Sequence, residues 1–209
     1  SLGYKNGCLA TPVGFDLKEY QPEYSAFKKE LNLSFIGSLD WMPNIEGLRW
    51  FLSEVWPLLH SKFPNLKFHF AGRNAPKDLA NIQLPGVIFH KDVSDSKDFM
   101  LGYPILIVPI FAGSGIRVKI LEAMALGRVV ITSSIGLEGI PAKHLDQVIL
   151  ANSAEDYFHS IQMCYDGKIN LLNLGQSARN FVHNNFDSSK LAEKLLTAYQ
   201  NVIDSPSHL

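Results

Sequence analysis

GSGIRVKILEAMALG, residues 113–127, joins a glycine-rich turn to a run with helical apolar spacing that carries one carboxylate, Glu122. Apolar runs flank it, Ile105 to Val108 before and Val129 to Thr132 after, and both read as short strands. The unit is therefore strand, loop, helix, strand. A glycine turn at a helix start lets a phosphate approach backbone amides, and a carboxylate on the helix suits the two adjacent hydroxyls of a ribose. This is the plan of a nucleotide-binding βαβ unit.

Each helical residue turns by about 100°, so Gly115, Val118, Lys119 and Glu122 share one face. Ile116, Ile120, Ala123 and Gly127 form a second face that is apolar and small, and Leu121, Met124 and Ala125 leave little polar surface, which predicts a helix buried nearly all round. A carboxylate there is costly without a partner. Two partners are open: a ribose diol, roughly 10 Å along the axis from a phosphate at Gly115, or Lys119 one turn earlier. A dehydrogenase fingerprint is excluded. Gly113-Ser114-Gly115 begins one, but its third glycine falls at Val118.

The rest of the chain fits the same plan. Strand-like runs at Leu33 to Ile36, Leu66 to Phe70, Val87 to Phe89 and Val148 to Leu150 join the two above, and a helix from Ile45 to Phe63 follows the first. Asn44 is the cap candidate of that helix, Pro57 is expected to kink it, and Trp50 and Trp56 fall on or near its apolar stripe. Helices are predicted at Ala154 to Cys164, Leu172 to His183 and Lys190 to Ile203. Such alternation gives an α/β domain with a parallel sheet and helices on both faces. Ligands bind at the carboxyl ends of such strands. Six of the fifteen glycines fall in the loops there, at 37, 72, 113, 115, 136 and 139. Arg73 and Glu138 lie on the same rim.

Composition bounds the partners. With 209 residues and 46% hydrophobic content the chain can bury a full core, and a net charge of −1 gives no broad footprint for nucleic acid. Cys8 and Cys164 form neither a disulfide framework nor a metal-ligand spacing, which suits a reducing cytoplasm, and the seven histidines form no metal cluster. No metal or other cofactor is expected. No run approaches a membrane span of about 18 apolar residues.

At these motifs the chain resembles the C-terminal, donor-binding domain of a GT-B glycosyltransferase of the retaining group called glycosyl transferases group 1. PVGFDLKEYQP (12–22) resembles the segment entering that domain, FIGSLDWMPN (35–44) its first strand and loop, and GSGIRVKILEAMALGRVVIT (113–132) its signature helix and strand. The resemblance implies two Rossmann-like domains facing across a cleft. Residues 1–22 would enter from an N-terminal acceptor-binding domain absent from this chain, with Ser1-Leu2 a cloning remnant, and 23–209 would hold the nucleotide sugar. It further implies a role in bacterial cell-surface polysaccharide or lipopolysaccharide synthesis, a cytoplasmic location, peripheral membrane association of the whole protein, and no transfer by this half alone.

The family signature is a Glu, seven residues and a second Glu followed by Ala-Met-Ala and Gly. Glu122, Ala123, Met124, Ala125 and Gly127 match, which assigns Glu122 to the ribose hydroxyls. Ser114 stands where the first Glu would contact the sugar; Ser38 and Pro43 stand where the family places cations on the phosphates. The remaining candidates for the diphosphate are the backbone from Gly113 through Gly115 to Ile116, the side chains of Arg117 and Lys119, and the Gly37-Ser38 turn. No catalytic base is named. Two alternatives stand beside this reading: a sugar-nucleotide epimerase of the same fold, and a degenerate domain that has lost donor binding.

Overall fold

The computed structural model describes residues 11–91 and 93–204. Cys8 and the Ser1-Leu2 pair lie outside them. Six parallel strands form one sheet: β1 Asn32–Ile36, β2 Lys67–Ala71, β3 Val87–His90, β4 Ile105–Val108, β5 Val129–Thr132 and β6 Ile149–Leu150, in the order β3-β2-β1-β4-β5-β6. Helices α1 Met42–Trp50, α2 Trp56–Lys62, α3 Lys77–Ala80, α4 Ser96–Leu101, α5 Val118–Ala125, α6 Ala154–Tyr165, α7 Leu171–Asn185 and α8 Ser188–Asp204 cover it. This is the expected Rossmann-like architecture.

The central strands are buried on both faces, which is why they read as unbroken apolar runs. Successive side chains of β4 leave on opposite sides: Ile105 and Ile107 join the core under α1, α2 and α6, while Leu106 and Val108 join the core under α5 and α7. The buried hydroxyls on the sheet are satisfied across it, Ser34 Oγ donating to the Ile105 carbonyl (2.9 Å) and Thr132 Oγ1 to that of Val108 (2.7 Å).

The long helix predicted over 45–63 is instead three pieces. It starts earlier, at Met42 with Trp41 as the N-cap residue, so Asn44 is inside the first turn and does not cap it. Residues Phe51–Val55 form a π-helical turn in which the Trp56 amide reaches the Phe51 carbonyl, and α2 then restarts with Pro57 in its first turn. Proline lacks an amide donor, and the widened turn ahead of it takes the place of the predicted kink. Ile45, Leu48, Leu52, Val55, Leu59 and Phe63 are all buried nonetheless, as is Trp56.

Helix α5 also starts later than its sequence suggests. Gly113 and Gly115 adopt φ of 97° and 88°, and Arg117 is the extended N-cap residue, so Gly115 and Arg117 lie outside the helix. From Ile120 through Ala125 only Glu122 is not buried, whereas Val118 is 45% exposed.

Residues 15–28 precede the sheet and pack on it through arginines that donate to backbone carbonyls. Arg128, fully buried, donates to the carbonyls of Glu23 and Leu126 and faces the Phe27 ring at 4.6 Å; Arg179 donates to those of Tyr20 and Ala125. Two glycines permit backbone approaches that decide the packing. A Cβ on Gly175 of α7 would overlap the Gly127 carbonyl, and one on Gly47 of α1 would overlap the Pro109 carbonyl just past β4. Gly47→Ala is expected to lower unfolding free energy by about 1–3 kcal/mol, since neither a helix nor a strand-end backbone yields easily. Urea unfolding measures it, and an unchanged midpoint would show that α1 rides free of β4.

Candidate functional site

The sheet order reverses between β1 and β4, so the chain leaves their carboxyl ends in opposite directions and opens a crevice there. Lys119 of α5 reaches into it. Its Nζ donates to Asn44 Oδ1 at 2.6 Å and to the Ile36 carbonyl at 3.4 Å, and lies 4.6 Å from the centre of the Phe35 ring. Asn44 is itself buried, and its Nδ2 donates to the Ser38 carbonyl at 2.9 Å. A Cβ on Gly37 would sit 3.0 Å from the Lys119 Nζ and 2.7 Å from the Asn44 amide nitrogen. Glycine at 37 therefore leaves room for both side-chain ends, which a larger residue would displace. Loss of water around the ammonium, with the Arg117 charge adding to it, lowers the Lys119 pKa to about 7.

Beside this cation lies a cavity of about 390 Å³ lined by Gly37, Ser38, Arg73, Lys91, Ser94 and Ser96 among others. Two basic side chains and three hydroxyls make it a polar site for a charged ligand. Its rim is braced by Asp40, whose carboxylate accepts from Ser38 Oγ at 2.5 Å and Asn74 Nδ2 at 2.7 Å; those two hydrogen bonds hold its pKa below the usual range.

On the other side of the crevice the glycine turn encloses Arg117. The residue is 6% exposed, and its Nη1 donates to the carbonyls of Ser114 (2.6 Å) and Gly115 (2.7 Å). Its Nε and Nη2 are buried with no hydrogen-bond partner among the described residues, and the guanidinium faces the Trp41 ring at 5.4 Å. Orphaned donors on a cation are costly, and these are closed off from solvent, so an anion reaches them only where the turn gives way to admit it.

Glu122 does not pair with Lys119. Its Oε1 accepts from the Tyr20 hydroxyl at 3.1 Å, and it is not among the residues lining the cavity. The structure thus brings Gly37, Ser38, Lys119 and Asn44 together, places Gly113, Ser114, Gly115 and Arg117 in one turn under Trp41, and leaves Glu122 half-buried beside Tyr20. Asn44 and Tyr20 are the participants that sequence reading missed. Asn44 carried a signal, a polar residue abutting an apolar stripe, but one that a helix cap explains equally well. Among the described residues no three of His, Cys, Asp and Glu stand together as a metal site, and no helix is long and apolar enough to cross a membrane.

Known proteins resemble this chain in sequence and in fold. An uncharacterised 44.6 kDa protein in the cps region of Klebsiella pneumoniae is 28% identical over 204 residues, covering 90% of this chain; the chain spans 52% of that relative's length. Among solved structures, the C-terminal domain of a glycosyl transferase group 1 family protein (LpcC) from Francisella tularensis superposes with a TM-score of 0.65 at 17% identity, covering 84% of this chain and 100% of that domain. Sucrose-phosphate synthase from Thermosynechococcus elongatus superposes at 0.70 with 19% identity, over 92% of this chain and 52% of its own. Anabaena HepE, solved with UDP and glucose, superposes at 0.69 with 15% identity, over 90% and 55% respectively. These place the fold as the C-terminal half of GT-B. A family model described as glycosyl transferases group 1 matches residues 30–166, which hold β1 through α6, and the chain belongs to that family.

Proposed function

We propose that this domain binds the nucleotide diphosphate sugar of a retaining glycosyltransferase engaged in cell-surface polysaccharide assembly, and that a second, N-terminal domain supplies the acceptor. The observation that carries the reading is the Lys119 ammonium held without a carboxylate at the switch point of the sheet, next to a polar cavity and a turn with orphaned arginine donors. The cps-region relative and the HepE structures with UDP and with UDP-glucose support the same substrate class.

In this reading the base occupies the cavity, the ribose lies outside it with its hydroxyls on Glu122, and the diphosphate lies between Lys119 and the Gly113 to Arg117 turn. Transfer expels a nucleoside diphosphate from the anomeric carbon, so charge grows on the leaving phosphate as the bond breaks. Cations fixed in place before that moment stabilise it without reorganising. Lys119 and Arg117 thereby take the part of the cations that Ser38 and Pro43 replace, and no metal is required. Ser114, short and exposed, leaves the sugar pocket without the acid that the family signature provides there.

Calorimetry of the isolated chain with nucleoside diphosphates tests this directly. Glu122→Ala is expected to weaken binding about tenfold to a hundredfold, the worth of a hydrogen bond to a charged group. Equal binding by Glu122→Ala overturns the ribose assignment. No binding by the parent chain overturns the whole reading in favour of a degenerate domain.

The two cations separate by the ratio of diphosphate to unphosphorylated nucleoside affinity. Lys119→Met and Arg117→Met should each lower it, Lys119→Met the more, since half of the Arg117 fork is already committed to its own loop. An unchanged ratio in both places the phosphates elsewhere.

Lys119 also makes binding proton-linked. At pH 8, above its lowered pKa of about 7, most of the free domain holds a neutral amine. A bound diphosphate favours the ammonium, so binding must draw a proton from solution. Calorimetry in buffers of different ionisation enthalpy should show an uptake of up to about one proton at pH 8, fading as pH falls below 7 and absent in Lys119→Met. The same uptake in the variant would assign it to another group.

A further inference from the structure

We propose that Tyr20 positions the Glu122 carboxylate for the ribose hydroxyls, which makes the segment ahead of β1 part of the donor site. The inference rests on the reading of Glu122 given above and adds to it a residue 102 positions away in sequence. The phenol hydroxyl donates to Glu122 Oε1 at 3.1 Å, and among the described residues it is the one hydrogen-bond donor to that carboxylate. Oε2 is left to accept from a ligand.

Tyr20 is itself held at its ring and at its backbone. The Phe15 ring meets it edge-on at 5.5 Å and 79°, and the Lys97 ammonium of α4 sits 5.0 Å from its centroid. Lys97 pairs in turn with Glu19 at 3.7 Å. Arg179 of α7 donates to the Tyr20 carbonyl at 2.5 Å, fixing the backbone from which the ring projects. Burial, with the Glu122 charge second, raises the phenol pKa to about 12, so it remains a proton donor at any pH the domain would meet.

A glutamate side chain on a helix samples several rotamers, and a diol that must gather it loses affinity to that ordering. A donor already bonded to Oε1 removes the search and presents the second oxygen in one direction. A ribose that offers both hydroxyls gains most, so the contribution of Tyr20 appears as discrimination between ribose and a sugar lacking them. A tyrosine that only staples residues 15–28 to the domain would change stability and leave that discrimination intact.

The test is calorimetry with whichever of UDP, GDP and ADP the parent binds most tightly and with its 2′,3′-dideoxy counterpart, on the parent, Tyr20→Phe, Glu122→Gln and the double variant, with melting temperatures of each. Tyr20→Phe keeps the ring and its packing. It should reduce the preference for the ribose form about three- to tenfold, the scale of one intramolecular hydrogen bond. Glu122→Gln should lose most of the preference, and the double variant should lose little more than Glu122→Gln alone. An intact preference in Tyr20→Phe beside its loss in Glu122→Gln overturns the positioning role and leaves the ribose reading standing, whatever the melting temperature does. An intact preference in both variants, or no preference in the parent, overturns the ribose reading and the positioning role with it.

Discussion

The Lys119 ammonium ties α5, which carries it, to two elements far earlier in the chain: β1 through the Ile36 carbonyl, 83 residues away, and the Phe35 ring, and α1 through Asn44, 75 residues away. Its partners are two neutral oxygens and a π face, so the protein solvates the charge without cancelling it. A desolvated cation left in that condition disfavours its own protonation, and its lowered pKa expresses this. Much around it is arranged to admit it. Gly37 has no side chain, Asn44 turns its oxygen to the lysine and its amide to Ser38, and Gly47 lets α1 close on the end of β4 so that Asn44 arrives.

The architecture was legible because parallel strands buried on both faces leave unbroken apolar runs; Ile105 to Val108 and Val129 to Thr132 are placed to the residue. The terminal helices likewise agree within two residues, their stripes and caps being local features, as with the box formed by Ser153 and Asp156 at the start of α6. What went unread lies far away in sequence. The Asn44 side chain was assigned its nearest explanation, a helix cap, whereas its partner Lys119 lies 75 residues distant; Tyr20, which bonds Glu122 from 102 residues away, had no local signal at all. Pattern reading sees the period of a helix and is blind to what the rest of the chain brings against it. The early start expected for α5 fails differently, since positive φ at Gly113 and Gly115 lets the turn curl around Arg117, which bonds its own loop where a helical turn would have continued.

The segment ahead of the sheet buries Phe15 and Leu17 in the core and is fastened by arginines as well. Arg128 and Arg179 direct their donors to main-chain carbonyls, so this part of the attachment follows the path of the backbone. A guanidinium has five donors in a planar fork and suits this better than an ammonium would. The aromatic rings of Tyr24 and Phe27 cover the face of Arg128 and complete its burial.

Where Gly175 of α7 meets the Gly127 carbonyl, main chain touches main chain with no side chain between. Side chains cushion most helix contacts, because rotamers can absorb a displacement of a few tenths of an ångström before the backbone feels it. Here that compliance is absent. The end of α5, the helix that carries Lys119 and Glu122, rests directly on the backbone of α7. The joint therefore fixes the spacing of α5 and α7 by main-chain contact alone, and any side chain at 175 must push the two helices apart.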